Sequence, residues 1–175
     1  MTGVVYPVWF GGFLRVQHGN TAAITAVKED YQEETANEDE ETFFRHPAQS
    51  GDGAGADAGT VTLLSKECVD ASKYDSNGQS NTYSGSTVET AVNNYYTNSI
   101  SSNVKSAIVD SKMFLLTTDQ ANTIEQANPE VLKCNKASGA EDNAWWLRSA
   151  GYNVEFAPCV FGEYGIVYVT GFTVI

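Results

Sequence analysis

Hydrophobic and polar positions change period several times along the chain, and each change marks an element. Residues 4–14 (VVYPVWFGGFL) are apolar and aromatic, interrupted by Pro7 and by Gly11-Gly12. They predict one or two short strands, with Pro7 near an edge, where a missing N–H costs no ladder bond, and the glycines at a turn or bulge. Looser alternation (Val16, Ala22, Ile24, Ala26) about His18-Gly19-Asn20 predicts a strand pair over roughly 13–28 with a hairpin turn. Thr60–Ser65 (TVTLLS) is β-branched and alternating, and predicts a strand. Residues 70–85 are polar and rich in turn formers.

The period then lengthens. Ser86 stands three residues before Glu89, the spacing of a capping box, in which each side chain satisfies a backbone donor of the first helical turn. Val88, Ala91, Val92, Tyr95 and Tyr96 follow at helical spacing, so a helix ending near Asn98 lays one face on a core. A second helix is predicted from Ser101 or Ser102, with Val104, Ala107 and Ile108 inward. Met113–Thr117 predicts a short buried strand. Thr118 or Asp119 caps a third helix through Gln126, stopped by Asn128-Pro129, because a residue before proline is driven out of the helical region. An irregular stretch from Lys133 to Asn143 leads to Trp145-Trp146. Beyond it, Phe156–Phe161 and Ile166–Thr170 predict strands about the turn Gly162–Gly165, and Gly171 predicts a second turn into residues 172–175. Strands, then helices, then a C-terminal β-meander make the class α+β, with short helices packed on an antiparallel sheet.

Composition narrows the picture. The chain has 175 residues, a length that favours a single domain over 1–175, here with an acidic, Gly-rich insertion at about 29–59. Glu29–Glu41 holds eight carboxylates and no Lys or Arg. It lacks the Gly turn and the spacing of a calcium loop, so a solvated insertion is the better reading, with Phe43-Phe44 pinning its end to the core. Residues 48–59 (AQSGDGAGADAG) read as a flexible loop, and Asp52 and Asp57 as solubilising residues. A net charge of −12 repels phosphate backbones and anionic bilayers, which argues against nucleic acid and membrane surfaces as partners. No apolar run is long enough to span a bilayer, and no signal peptide is expected from residues 1–7. Cys68, Cys134 and Cys159 form no metal motif and read as small buried hydrophobes.

Catalytic patterns are missing too. His18 and His46 adjoin no Ser or Cys in a nucleophile motif, and no carboxylate pair is marked out. The expectation is a protein that is not an enzyme and needs no metal or cofactor.

Four strings in order carry a resemblance: TLLSKECVDASKYD (62–75), STVETAVNNYY (86–96), MFLLTTDQAN (113–122) and AWWLRSAG (144–151). Together they resemble a bacterial and phage domain family, common in gut microbes, whose hallmark is the Trp-Trp-Leu-Arg-Ser turn. That family is similar to the C-type-lectin-like fold and to the variable proteins of diversity-generating retroelements. The resemblance spans about residues 60–174. The chain departs from it at Ala150, where the family has Pro, and in lacking the family's closing Val-Arg-Pro strand. Neither the Glu-Pro-Asn nor the Gln-Pro-Asp loop of calcium-dependent lectins occurs.

The resemblance implies a binding or display protein of a phage particle or bacterial surface, taking a protein or glycan ligand on another cell. It implies ligand contacts at Tyr152, Asn153, Glu155, Phe156, Phe161, Tyr164, Tyr168, Thr170, Phe172 and Thr173, set among framework residues Ala157, Val160, Gly165, Val167, Gly171 and Val174. Glu155 and Glu163 are not products of adenine-directed diversification, so they stand as fixed positions or count against it. The residues alone point the same way: aromatics in alternating strands cannot all face one core, so Phe156, Tyr164, Tyr168 and Phe172 should leave an exposed patch. The alternative is a structural module of a surface or phage assembly, with the same aromatics in a subunit interface. Trp145 and Trp146 read as structural, one in the core and one under the turn, and Arg148 as a tie to loop carbonyls or a carboxylate.

Overall fold

A computed structural model describes residues 8–10, 13–17, 43–47, 60–65, 68, 70–133 and 144–174. Eight strands are β1 (Val8–Phe10), β2 (Phe13–Gln17), β3 (Phe43–Pro47), β4 (Thr60–Ser65), β5 (Asp70–Ser72), β6 (Ala144–Trp146), β7 (Phe156–Phe161) and β8 (Ile166–Thr173). Among the described residues three helices, α1 (Thr87–Ser99), α2 (Ser102–Ala107) and α3 (Thr118–Ala127), precede a 3-10 turn at Pro129–Leu132. One sheet runs β5-β1-β6-β7-β8 and a second runs β2-β4-β3. The second is antiparallel throughout, and the first is antiparallel except where β1 lies parallel to β6 at Trp9 and Trp145. Helices and largely antiparallel sheet together make the fold α+β.

The centre of the five-stranded sheet is buried on both faces. Facing residues in an antiparallel ladder share a side of the sheet, and neighbours along a strand do not. The registers Trp146↔Cys159↔Tyr168 and Trp145↔Val160↔Val167 therefore define two faces. Trp146 and Cys159 join Leu14, Val88, Val92, Val104, Ile108 and Leu115 in one cluster, with the helices α1 and α2. Trp145, Leu147 and Val160 join Leu116, Ala121, Ile124 and Leu132 in the other, with α3 and the 3-10 turn. Both tryptophans are buried, so neither lies merely beneath the turn. Each also satisfies its indole N–H: Trp145 Nε1 donates to Leu132 O at 3.2 Å and Trp146 Nε1 to Ser72 O at 2.9 Å. Leu14 brings the three-stranded sheet to the Trp146 cluster.

The helix caps follow local chemistry. Ser86 Oγ accepts the Glu89 N–H at 3.0 Å, while the Glu89 carboxylate accepts from Gly85 N–H at 2.7 Å rather than from Ser86. Val88 and Val92 are buried, with Ala91, Tyr95 and Tyr96 packed partly against them, as the helical spacing predicts. The third helix is capped by Thr117, one residue earlier than expected, in a full capping box with Gln120.

Several expectations change. Residues 113–117 form no sheet strand. Met113, Leu115 and Leu116 are buried, but Phe114 makes only an isolated bridge, because the stretch runs between two clusters and has no partner strand among the described residues. Phe43–Pro47, within the span read as an insertion, pair with β4, and β2 pairs with β4 as well. The expected second strand near 21–28, the acidic run to Glu41, the loop at 48–59 and Cys134 lie outside the described residues. Gly171 is not a turn. β8 runs through it with φ +69°, a left-handed conformation that favours glycine, and a Cβ there would sit 1.8 Å from Ala157 O. The ladder is irregular between Ala157 and Cys159, where Pro158 has no N–H to offer.

Gly171→Ala should thus lower stability by several kcal/mol, whereas Gly85→Ala, also left-handed (φ +82°) but with nothing within 4 Å of a Cβ, should cost only about 1–2 kcal/mol. Urea denaturation of the two variants tests the contrast. Equal losses would mean that backbone crowding at Ala157 is not what fixes Gly171.

Candidate functional site

The stretch from Trp145 to Ser149 anchors everything after it. Leu147 is buried, and its N–H donates to Pro158 O at 2.9 Å. The Arg148 N–H donates to Leu116 O at 2.8 Å, and Ser149 Oγ accepts the Thr118 N–H at 2.8 Å at the start of α3. The tie at Arg148 is thus made by its backbone. Its side chain is exposed and makes no hydrogen bond to a carbonyl or carboxylate among the described residues, so the expected tie through the guanidinium is not the one observed. The charge lies near Tyr83, where it partly offsets the burial and the Glu89 carboxylate that together push the Tyr83 phenol up to about 12.

Chain 151–156 then closes into a loop. The Glu155 N–H donates to Asn153 Oδ1 at 2.9 Å, and the Phe156 N–H to Asn153 O at 3.2 Å. A Cβ on Gly151 would lie 2.0 Å from Phe156 O, so the two backbone ends touch where only glycine fits. The loop is held from beneath by Asn81, which is buried. Its amide donates to Gly151 O (3.2 Å), Asn153 O (2.6 Å) and Phe156 O (3.2 Å). Two amide hydrogens thus serve three carbonyls across some seventy residues of sequence. Pattern reasoning could not find Asn81, since it sits in DSNGQSN (75–81) and looks like one more turn residue.

The residues singled out from sequence occupy three places. Tyr152, Asn153 and Glu155 are exposed on the loop, Tyr152 at 86%. At the other end of the β7–β8 hairpin, Tyr164 is 57% exposed on a turn whose Gly165 abuts Pro129 O. Between them, Phe161, Tyr168 and Phe172 form an aromatic triad with centroids 5.2, 5.5 and 6.1 Å apart. Phe161 and Phe172 are half-buried against the Trp146 cluster, and Tyr168 is 40% exposed above them. Phe156 is half-buried, and Thr170 and Thr173 are exposed. The aromatics thus form a platform with two flanking points, not one continuous patch. Of the framework positions, Ala157, Val160, Gly165, Gly171 and Val174 are buried and Val167 is half-buried. Val154, Ile166 and Val169, which sequence reasoning did not single out, are exposed.

This surface presents aromatic, aliphatic and hydroxyl groups together with the carboxylates of Glu155 and Glu163. Cys159 lies beneath it, buried, and burial pushes its thiol up to about 12 from an ordinary 9.0. At neutral pH it stays a protonated, inert thiol. Among the described residues no three His, Cys, Asp or Glu gather as metal ligands would, and no helix is long and apolar enough to cross a membrane. Comparison with protein-family models, curated proteins and solved structures finds no match.

Two stability predictions separate framework from surface. Asn81→Ala should cost about 1–3 kcal/mol, because it leaves carbonyls without their donor, and should speed amide exchange at residues 153–156. Tyr152→Ala and Tyr164→Ala should each change stability by less than about 0.5 kcal/mol, whereas Phe172→Ala should cost about 2 kcal/mol or more. Chemical denaturation with exchange mass spectrometry reads all four. A costly Tyr152→Ala would place that ring in a core.

Proposed function

We propose that this chain is a ligand-binding or display protein with a C-type-lectin-like fold, whose surface between Tyr152 and Thr173 takes a protein or glycan on another cell. One observation carries the reading. Of the seven large hydrophobic residues exposed among the described residues of 68–133 and 144–174, six (Tyr152, Val154, Tyr164, Ile166, Tyr168 and Val169) fall in this stretch, and only Val109 lies elsewhere. Solvent does not favour such a concentration, and tyrosine supplies broad contact area at little cost in side-chain entropy.

The division of labour supports it. Buried small residues and glycines hold the backbone, and Tyr152, Tyr164, Thr170 and Thr173 between them are exposed with little structural duty. Such a surface can change its side chains without refolding, as expected for the variable proteins that the Trp-Trp-Leu-Arg-Ser turn resembles. Binding by shape and aromatic contact asks for no catalysis, metal or cofactor, and a phage particle or bacterial surface is where such display is used.

Population sequencing of the locus tests this. Substitutions should concentrate at Tyr152, Tyr164, Tyr168, Thr170 and Thr173, sparing Trp145, Trp146, Gly151, Gly165 and Gly171, with a reverse transcriptase gene and an adenine-rich near-copy of these codons nearby. Substitutions spread evenly over framework and surface would sink the diversified-display reading.

A further inference from the structure

The five-stranded sheet ends in β8, which has no neighbour on its outer side among the described strands. Hydrogen bonds give the direction of its backbone. Pro158 O accepts from Leu147, so Pro158 and Val160 turn their backbone groups toward β6, and Cys159 and Phe161 turn theirs toward β8. Across the ladder Ile166 and Tyr168 face β7, and Val167 and Val169 face outward. The Val167 N–H confirms the sense, since it donates away from the sheet to Glu125 Oε2 on α3 at 3.2 Å. By the same alternation the Val169 N–H turns away from β7.

Sheet edges invite pairing, and proteins commonly blunt them with Lys, with Pro or with a short strand. β8 has eight residues, IVYVTGFT, with no charge and no proline. Ile166 and Val169 are exposed at 48% and 52% on opposite faces of it. Apart from the bulge at Gly171, the described guards on this edge lie at its Val167 end, where α3 packs against β8 and Glu125 takes the Val167 N–H, and Val169 lies beyond them. An outward-turned N–H flanked by exposed apolar side chains on both faces suits an added strand. Backbone bonds then supply affinity, and alternate side chains supply selectivity.

Charge says what kind of strand. From Ser149 to Ile175 the chain has two carboxylates, Glu155 and Glu163, and no Lys or Arg. Both are exposed, and Glu125 sits on the edge itself. A second copy would bring a further −12 against the first. A cationic segment would be drawn in, and a Lys or Arg beside Val167 could take over the Glu125 carboxylate as that N–H turned to the new strand.

We propose that the outer edge of β8 about Val167–Val169 binds an extended, basic segment of a partner protein as an added strand. The inference rests on the reading of residues 152–173 as a binding surface, and narrows its ligand to a protein.

Selection from a displayed library of ten-residue peptides on the full chain tests it. Selected peptides should alternate apolar residues, carry Lys or Arg at their ends, weaken with added salt, and slow exchange of the Val169 amide. Val169→Pro removes only an outward N–H, so it should weaken these peptides by about tenfold or more with little change in melting temperature. Glu125→Ala should leave an open edge but weaken Lys-flanked peptides more than neutral ones. Protection of Val169 in the unaltered chain gives the answer even if the proline variant does not fold. No selected peptide, peptides insensitive to Val169→Pro with an unprotected Val169 amide, or peptides of acidic character would each overturn strand addition. Ligand binding lost with Tyr152→Ala or Tyr164→Ala would still uphold the broader surface reading. A glycan probe bound through Tyr164 or Tyr168, or self-association by light scattering that Val169→Pro abolishes, would replace the basic segment with a sugar or a second copy.

Discussion

Two adjacent indoles on opposite faces of one short strand are the constraint on which the structure depends. Trp145 and Trp146 cannot point the same way in extended chain, so each demands its own apolar enclosure. The sequence supplies two: the helices α1 and α2 with Leu14 over Trp146, and α3 with the 3-10 turn over Trp145. Each indole N–H must also find an acceptor, and the two acceptors, Ser72 O and Leu132 O, lie in segments on either side of the helical region. Three residues of strand thereby fix β5, α1, α3 and β7 relative to one another. The Tyr74 ring, edge-on to Trp146 at 5.3 Å, adds an aromatic contact to the same cluster.

From that fixed centre the exposed surface inherits its rigidity. Leu147, Arg148 and Ser149 spend their backbone or hydroxyl groups on Pro158, Leu116 and Thr118, so the chain enters the loop at Gly151 in one direction. Asn81 then holds both ends of that loop and its middle, and Val174 returns an N–H to Glu155 O at 2.9 Å. A loop so held has much of its conformational freedom already removed in the folded chain.

What could be read in advance follows from the range of the interactions. Ser86, Val88 and Val92 were legible because a helix cap and a helical stripe are settled within a turn or two. The strands at 60–65, 156–161 and 166–170 were legible because β-branched alternation is local as well. The strand character of β5 and β3 was hidden, since Asp70–Ser72 and Phe43–Pro47 are strands by virtue of a neighbour, not of their own composition. Met113–Thr117 failed in the opposite sense: its apolar run is real, but burial between clusters needs no ladder. At the surface, Tyr152, Tyr164 and Tyr168 could be chosen from type and position, while the half-burial of Phe161 and Phe172 depends on ring contacts across the hairpin. Asn81 was beyond reach and Gly171 was singled out for the wrong reason, as a turn, because their roles are set by carbonyls distant in sequence or across the ladder.

The same distinction of range explains which residues of the surface are free to vary. Tyr152 and Tyr164 project from turns whose geometry is imposed by glycine approaches to Phe156 O and Pro129 O, so their side chains determine nothing beneath them. Asn153 differs, although it is equally exposed: its carboxamide oxygen accepts the Glu155 N–H, and a side chain unable to accept would leave that turn less fixed. Phe161 and Phe172 differ again, since their outer faces support Tyr168 while their inner faces close the Trp146 cluster. Exposure alone therefore does not mark a position as free to vary. A position is free when backbone contacts, not its own side chain, hold the chain in place there.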